Sequence, residues 1–205
     1  MPLHVPPAPA PALRSVLAAL GSPTAVHEAH TPALRALQGT LTAELPLPVH
    51  VLDRLNVAPV PSGRPPRTRL TAWRFLIRSG DRFVAAADTR LTPDGWAFSH
   101  FFEGPYIAST ERALRQAESV GKGYQPRLLS VPELYMLTLW LHGATGADPA
   151  SGLPAGEDLL VPLAPAPPGI AAHRPHTVSE LLPVLTHRLT PPVPPVPPSL
   201  AAPAA

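Results

Sequence analysis

Every Trp, Tyr and Phe of this chain lies between Trp73 and Trp140: three Trp, three Tyr and five Phe, with none elsewhere in the 205 residues. Proline is distributed the opposite way, because only Pro93, Pro105, Pro126 and Pro132 of the 32 prolines fall inside that stretch. An aromatic side chain buries roughly 150–250 Å² and dominates a core, whereas proline removes a backbone donor and is excluded from helix and strand interiors. These two distributions predict one compact domain over residues 12–189 with its core at about 69–163. A Pro/Ala-rich arm (residues 1–11) precedes it and a Pro-rich tail (residues 190–205) follows.

The charge is too balanced to mark a nucleic-acid or membrane-surface protein, at a formal +2 with 15% charged residues. Lys122 is the single lysine beside fifteen arginines, which together with the Ala and Pro excess reads as GC-rich codon usage. The absence of cysteine excludes disulfides and thiolate chemistry. No basic region followed by an apolar run opens the chain, and Leu134–Leu141 is far shorter than the ~20 residues of a membrane helix, so the cytoplasm is the expected location.

In chain order, Leu13, Val16, Leu17 and Leu20 recur at helical spacing over Ala12–Leu20, with Gly21 as the stop. Thr31-Pro32 opens a second short helix, and Leu45–Leu52, with Pro46 and Pro48 on one parity, suits an edge strand. Asn56–Pro66 is a loop. From Arg69, the inward set Thr71, Trp73, Phe75 and Ile77 alternates with Arg74, Leu76 and Arg78. Ser79-Gly80-Asp81 and Thr92-Pro93-Asp94-Gly95 turn the chain twice, giving a three-stranded antiparallel meander that ends at Glu103. A helix capped by Ser109 or Thr110 follows, with Ala113, Leu114, Ala117 and Val120 as its stripe. Arg127–Val131 and Leu134–Leu141 read as strands broken at Pro132, with a helix over residues 132–141 as the rival. Gly143–Gly156 is a loop and Asp158–Leu163 a last strand. Thr177 with Glu180 forms a capping box for a final helix, in which Pro183 predicts a kink unless the helix starts at Ser179. The expected fold class is α+β: a twisted antiparallel sheet of about five to seven strands with a helix across it and short terminal helices.

No phosphate loop, nucleotide fingerprint, nucleophile elbow or zinc helix is present, and no cofactor or metal is implied. His27-Glu28-Ala29-His30 misses the zinc-helix spacing by one residue, and Ser119 with Lys122 straddles a helix end. The constellation that remains is His100, Glu103, His142 and Asp158, each on or just beyond a predicted strand. His100 shares the parity of Trp96 and Phe98, which makes it either a buried imidazole with one satisfied partner or a group near a pocket. It can join Glu103 in acid–base work only if a bulge breaks the pleat between them. Arg74 and Arg78 form an exposed basic stripe whose strand face excludes Trp73 and Phe75, so nucleic-acid binding is disfavoured. The Pro191–Pro198 segment repeats the Pro-x-x-Pro spacing that can dock in aromatic grooves of protein partners, but the proline excess elsewhere in the chain favours a passive, disordered tail.

Phe98–Tyr106, Ser109–Leu114, Leu139–Gly143 and Asp158–Leu163 together resemble a set of hypothetical proteins from high-GC bacteria. The likeness covers roughly residues 71–170 and leaves out both arms. That set has no established activity, so the resemblance implies nothing about function. The residues themselves point to a non-enzymatic protein-interaction or regulatory module. The alternatives are a small enzyme or ligand-binding protein with a pocket near His100, Glu103, His142 and Asp158, and nucleic-acid binding through the Arg stripe.

Overall fold

The computed structural model describes residues 3–28, 31–36, 39–52 and 66–190. Among them the elements run α1 (Ala10–Leu20), α2 (Pro23–Glu28), α3 (Pro32–Ala36), β1 (Leu41–Val51), β2 (Arg69–Ser79), β3 (Arg82–Thr92) and β4 (Gly95–Phe102). They continue with α4 (Pro105–Glu118), β5 (Gln125–Val131), a 3₁₀ turn (Pro132–Leu134), β6 (Met136–His142), β7 (Leu159–Pro162), β8 (His176–Thr177) and α5 (Val178–Leu189). The strands form one sheet in the order β4-β3-β2-β1-β5-β6-β7-β8, antiparallel except where β1 meets β5. This is an α+β fold with the expected meander at one side. The eighth strand is a two-residue pairing of Thr177 and His176 with Leu159 and Leu160, too short to leave a periodic signal. The expected loop over residues 56–66 lies, apart from Pro66, outside the described residues.

Helices cover both faces of the sheet. On one, α4 lies over Leu47, Val49, Leu76, Leu128, Leu139 and Val161. On the other, α1 and α3 cover Trp73, Phe75, Ile77, Ala85, Ala87 and Phe101, while α5 covers Leu129, Val131, Met136, Trp140 and Leu160. Residues 3–9 run extended: His4 donates its backbone N–H to Tyr124 O at 2.9 Å, and Leu3 packs on the α4 side of the core.

Several local expectations are corrected. The strand after α3 is not at an edge, because β1 lies between β2 and β5. Its prolines are tolerated because Pro46 falls in a register break between Glu44 and Leu47, and pairing with β5 begins only at Val49. α1 buries Ala12, Val16 and Ala19, while Leu13 and Leu17 are 38% and 49% exposed, since alanine lets the helix axis approach the Trp73–Phe75 surface. α4 starts at Pro105 behind Gly104, whose φ is 133°, so the cap is not Ser109 or Thr110. Proline at the first helical position was the stronger signal. Thr110 lies one turn inside and donates to Tyr106 O at 2.7 Å, and Val120 falls beyond the helix with 49% exposure. The helical alternative for residues 132–141 reduces to a single 3₁₀ turn, with β6 beyond it. The capping box at Thr177 and Glu180 is present, and α5 starts at Val178 with Pro183 inside it.

Candidate functional site

The four sequence candidates divide between two regions. His100 lies in β4 at one edge and Glu103 just beyond that strand's end, whereas His142 ends β6, five strands away, or ~24 Å at the usual strand spacing. A bulge does form in β4, where Phe98 pairs with Thr89 and His100 with Asp88, leaving Ser99 as the extra residue. The bulge switches parity, so His100 is exposed beside Phe102 at 5.5 Å instead of lying on the side of the partly buried Trp96 and Phe98. Glu103 points the other way. Its Oε1 accepts Ala33 N at 2.7 Å and Leu34 N at 3.2 Å, which occupies it as the cap of α3. The His100–Glu103 pair is therefore not assembled.

His142 and Asp158 do meet, within a buried polar network on the α5 face. Asp158 Oδ2 accepts His142 Nδ1 at 2.7 Å, Trp140 Nε1 at 2.8 Å and Ala155 N at 3.0 Å, and Oδ1 accepts Gly143 N at 2.9 Å. Burial drives the carboxyl upward, but these bonds outweigh it and hold Asp158 below its ordinary value. Beside them Arg127 is fully buried, its guanidinium 4.8 Å from the Trp140 ring centre. It donates to Gln125 Oε1 at 2.8 Å, to Asp148 O at 3.1 Å and to Ser151 O. Burial lowers Arg127 to about 10, so it stays charged at neutral pH.

Gln125 Nε2 donates to Thr145 O and Ala147 O, and His50 Nε2 donates to Pro149 O at 2.9 Å while its Nδ1 accepts from Thr68. Burial, opposed by the bond to Pro149 and reinforced by the charges of Arg127 and His142, lowers His50 to about 4 and keeps it neutral. The segment between β6 and β7 is thus tied down by carbonyl after carbonyl. Gly152 lets it reach Thr68, the residue before β2, whose carbonyl an added Cβ would strike. The chemistry of this cluster is attachment, since most of its polar atoms already have partners inside the protein.

A second feature is a groove of about 590 Å³ on the α4 face, around the β5–β6 turn. Phe102, Tyr106, Pro132, Tyr135 and Pro165 line it, with Ser130 and Arg74 among its polar groups. Tyr135 is 89% exposed and has φ of 49°, the left-handed conformation that closes the 3₁₀ turn. Tyr106 Oη holds that turn by donating to Tyr135 O at 2.8 Å, with Pro165 O also within reach at 3.1 Å.

The Arg stripe is not an exposed basic footprint. Arg74 binds Asp88 through two 2.8 Å bonds and stacks over Phe102, and Arg78 binds Glu44 at 2.8 Å over Phe83. Acidic partners two strands or fewer away neutralise the charge that alternation had placed toward solvent. Among the described residues no group of three or more His, Asp or Glu is placed to hold a metal ion. His27 lies in α2, and His30 is outside the described residues. Ser119 donates to Gln116 O, while Lys122 lies over Tyr124. Ser109, expected only as a helix cap, approaches His173 Nε2 at 3.1 Å, but it is 6% exposed and its Oγ accepts Ala164 N at 2.7 Å, a helix-to-loop tie.

Sequence reasoning missed Arg127, Gln125 and His50, whose only signal was a polar residue in an otherwise apolar strand. It also missed the groove, whose signal was Tyr135 beside Pro132. Comparison of the chain with protein-family models, curated proteins and solved structures finds no match.

Proposed function

We propose that this chain is a non-enzymatic protein-interaction module and that the groove at the β5–β6 turn is its docking surface. The observation that carries this is Tyr135. A left-handed conformation costs a non-glycine residue about 1–2 kcal/mol, and a ring that is 89% exposed recovers nothing by packing within the chain. The turn that this conformation closes, held by the Tyr106 hydroxyl on Tyr135 O, presents the ring to solvent, where a contact with another segment would bury it. Phe102, Tyr106 and Tyr135 flanked by Pro132 and Pro165 form a trough for an extended, proline-bearing segment. Such segments have no internal hydrogen bonds, and the Ser130 hydroxyl in the groove wall supplies a donor for their carbonyls.

The test is fluorescence anisotropy with a labelled nine-residue peptide of Pro-Pro-Val repeats against a Gly-Ser peptide of equal length. The proline peptide alone should bind, and Tyr135→Asn should weaken it at least ten-fold. Asn tolerates the left-handed conformation, so the variant keeps the fold. Equal binding of both peptides, or no effect of the substitution, defeats the proposal.

One observation favours the alternative, a small enzyme or ligand-binding protein. Asp158 orients the His142 imidazole through Nδ1, as a carboxylate orients a general base. Neither His100 nor Glu103 reaches it, and no Ser or Thr side chain bonds to that ring among the described residues. Selective shifts of the His142 ring signals on titration with small polar ligands would favour it over the groove.

A further inference from the structure

We propose that the occupant of the groove is the chain's own Pro191–Pro198 segment, which closes the module in cis. The inference rests on the groove being a docking surface and goes on to name what fills it.

The direction of α5 brings the tail to the right place. Val178 N is bound to Asp158 O, beside the His142 end of β6, so α5 starts there. Its twelve residues rise ~18 Å toward the opposite end of the sheet. Leu189 is buried in the cluster that holds Val131, Leu134 and Met136, at the β5–β6 turn. Arg188 Nη1 donates to Pro168 O at 3.0 Å, and Pro165, three residues earlier, is part of the groove wall. The last described residue, Thr190, is therefore delivered beside the turn whose other side is the groove.

The sequence that follows has the right period. A polyproline II helix repeats every three residues, which is the period of the Pro-Pro-Val repeat in Pro191–Pro198. Pro191, Pro194 and Pro197 recur at that three-residue spacing, as do Pro192, Pro195 and Pro198, with Val193 and Val196 between them. A proline repeat of this period suits an aromatic trough such as the one Tyr135 borders. A tethered segment also meets its site at an effective concentration of about a millimolar, so even weak affinity closes the groove.

The experiment uses a labelled peptide of residues 190–200 added in trans to three full-length proteins. These are the parent, a tail variant with Pro192, Pro194, Pro195 and Pro197 each changed to Ser, and the tail variant carrying Tyr135→Asn. The tail variant should bind the peptide at least ten-fold more tightly than the parent, whose groove is already filled. Tyr135→Asn should abolish that binding, while the urea midpoint is unchanged in all three. Equal binding to parent and tail variant overturns closure in cis and leaves the docking surface standing. No binding to either overturns both. Concentration-dependent dimerisation of the parent that the tail variant loses would place the tail on a second copy, which also overturns closure in cis.

Discussion

The two halves of the sheet face that lies opposite α4 are built by contrasting means. Under α1 and α3 the surface is made of rings and alanines: Trp73, Phe75, Ile77, Ala85, Ala87 and Phe101, all 5% exposed or less. At the other half, next to α5, the loop between β6 and β7 is held over His50, Arg127, Trp140 and Asp158, at most 2% exposed. Each half is anchored on a tryptophan, and the two indoles behave differently. Trp73 Nε1 is buried without a hydrogen-bond partner among the described residues, whereas Trp140 Nε1 donates to Asp158. The first half is stabilised by area removed from water, which is insensitive to protonation. The second depends on directed bonds that organise a loop of few apolar contacts, and it inherits their sensitivity to charge and pH.

Removing the guanidinium should expose this contrast most strongly. Arg127→Leu leaves Gln125 Oε1 and the carbonyls of Asp148 and Ser151 without their donor. At roughly 1–3 kcal/mol for each stranded buried acceptor, less what entering water restores, the loss should be on the order of 4 kcal/mol by urea denaturation. Limited proteolysis should cut residues 144–157 first. Arg127→Lys should recover little, because an ammonium cannot span the same fork. A variant with normal stability and an uncut loop would show that the network is decoration. In the other half, Phe75→Ala should cost slightly less, about 3–4 kcal/mol, through a cavity under α1. That cost should be the same at pH 7 and pH 5, so a pH-dependent loss would contradict the division.

Acid should act on one half. His50 is lowered to about 4 from an ordinary 6.5. Above pH 6.5 neither state binds the proton and the group contributes nothing. From pH 6.5 down to about 4 the unfolded chain takes up a proton that the folded chain refuses, so stability falls as pH falls. The total is about 3 kcal/mol, at ~1.36 kcal/mol per pH unit. Asp158 is held below its ordinary value, so its contribution is present above pH 3.8 and is lost at still lower pH. Urea midpoints across this range should slope in the parent and flatten between pH 6.5 and 4 in His50→Gln. An unchanged slope would assign the acid sensitivity elsewhere.

What could be foreseen follows the same division. The meander was legible because alternation and two turns are local signals, and the capping box of α5 was legible for the same reason. His100 was placed on the wrong face because one inserted residue, Ser99, reverses parity, and nothing local marks a bulge without glycine. β1 was misread as an edge because its prolines occupy a register break that only its partners reveal. Of the candidate site, His142 and Asp158 were foreseen individually, but Arg127 read as an ordinary strand residue. Apart from Gln125 Oε1, its partners are backbone carbonyls twenty or more positions away, and carbonyls carry no residue identity. Tyr135 was invisible for a related reason, since a left-handed backbone is expected at Gly or Asn.

The smallest effect sharpens the comparison by using the same side chain in another setting. Arg78 and Glu44 form an ion pair at 2.8 Å, with side chains 33% and 38% exposed. The bond to Arg78 holds Glu44 below its ordinary value, and burial opposes it only in part. Water screens this pair and both side chains lose rotamer freedom in making it, so a double-mutant cycle with Glu44→Gln and Arg78→Met should return a coupling of about 0.5 kcal/mol. That coupling should shrink on going to 1 M salt. The single change Arg78→Met should cost little, because its methylenes can still cover the Phe83 ring that the guanidinium now overlies at 4.3 Å. Arg127, whose bonds run to the Gln125 amide oxygen and to the carbonyls of Asp148 and Ser151, should outweigh this ion pair several-fold. A coupling above 2 kcal/mol at Arg78 would reverse that order and make charge pairing, instead of the burial of donors and acceptors, the property that distinguishes the two arginines.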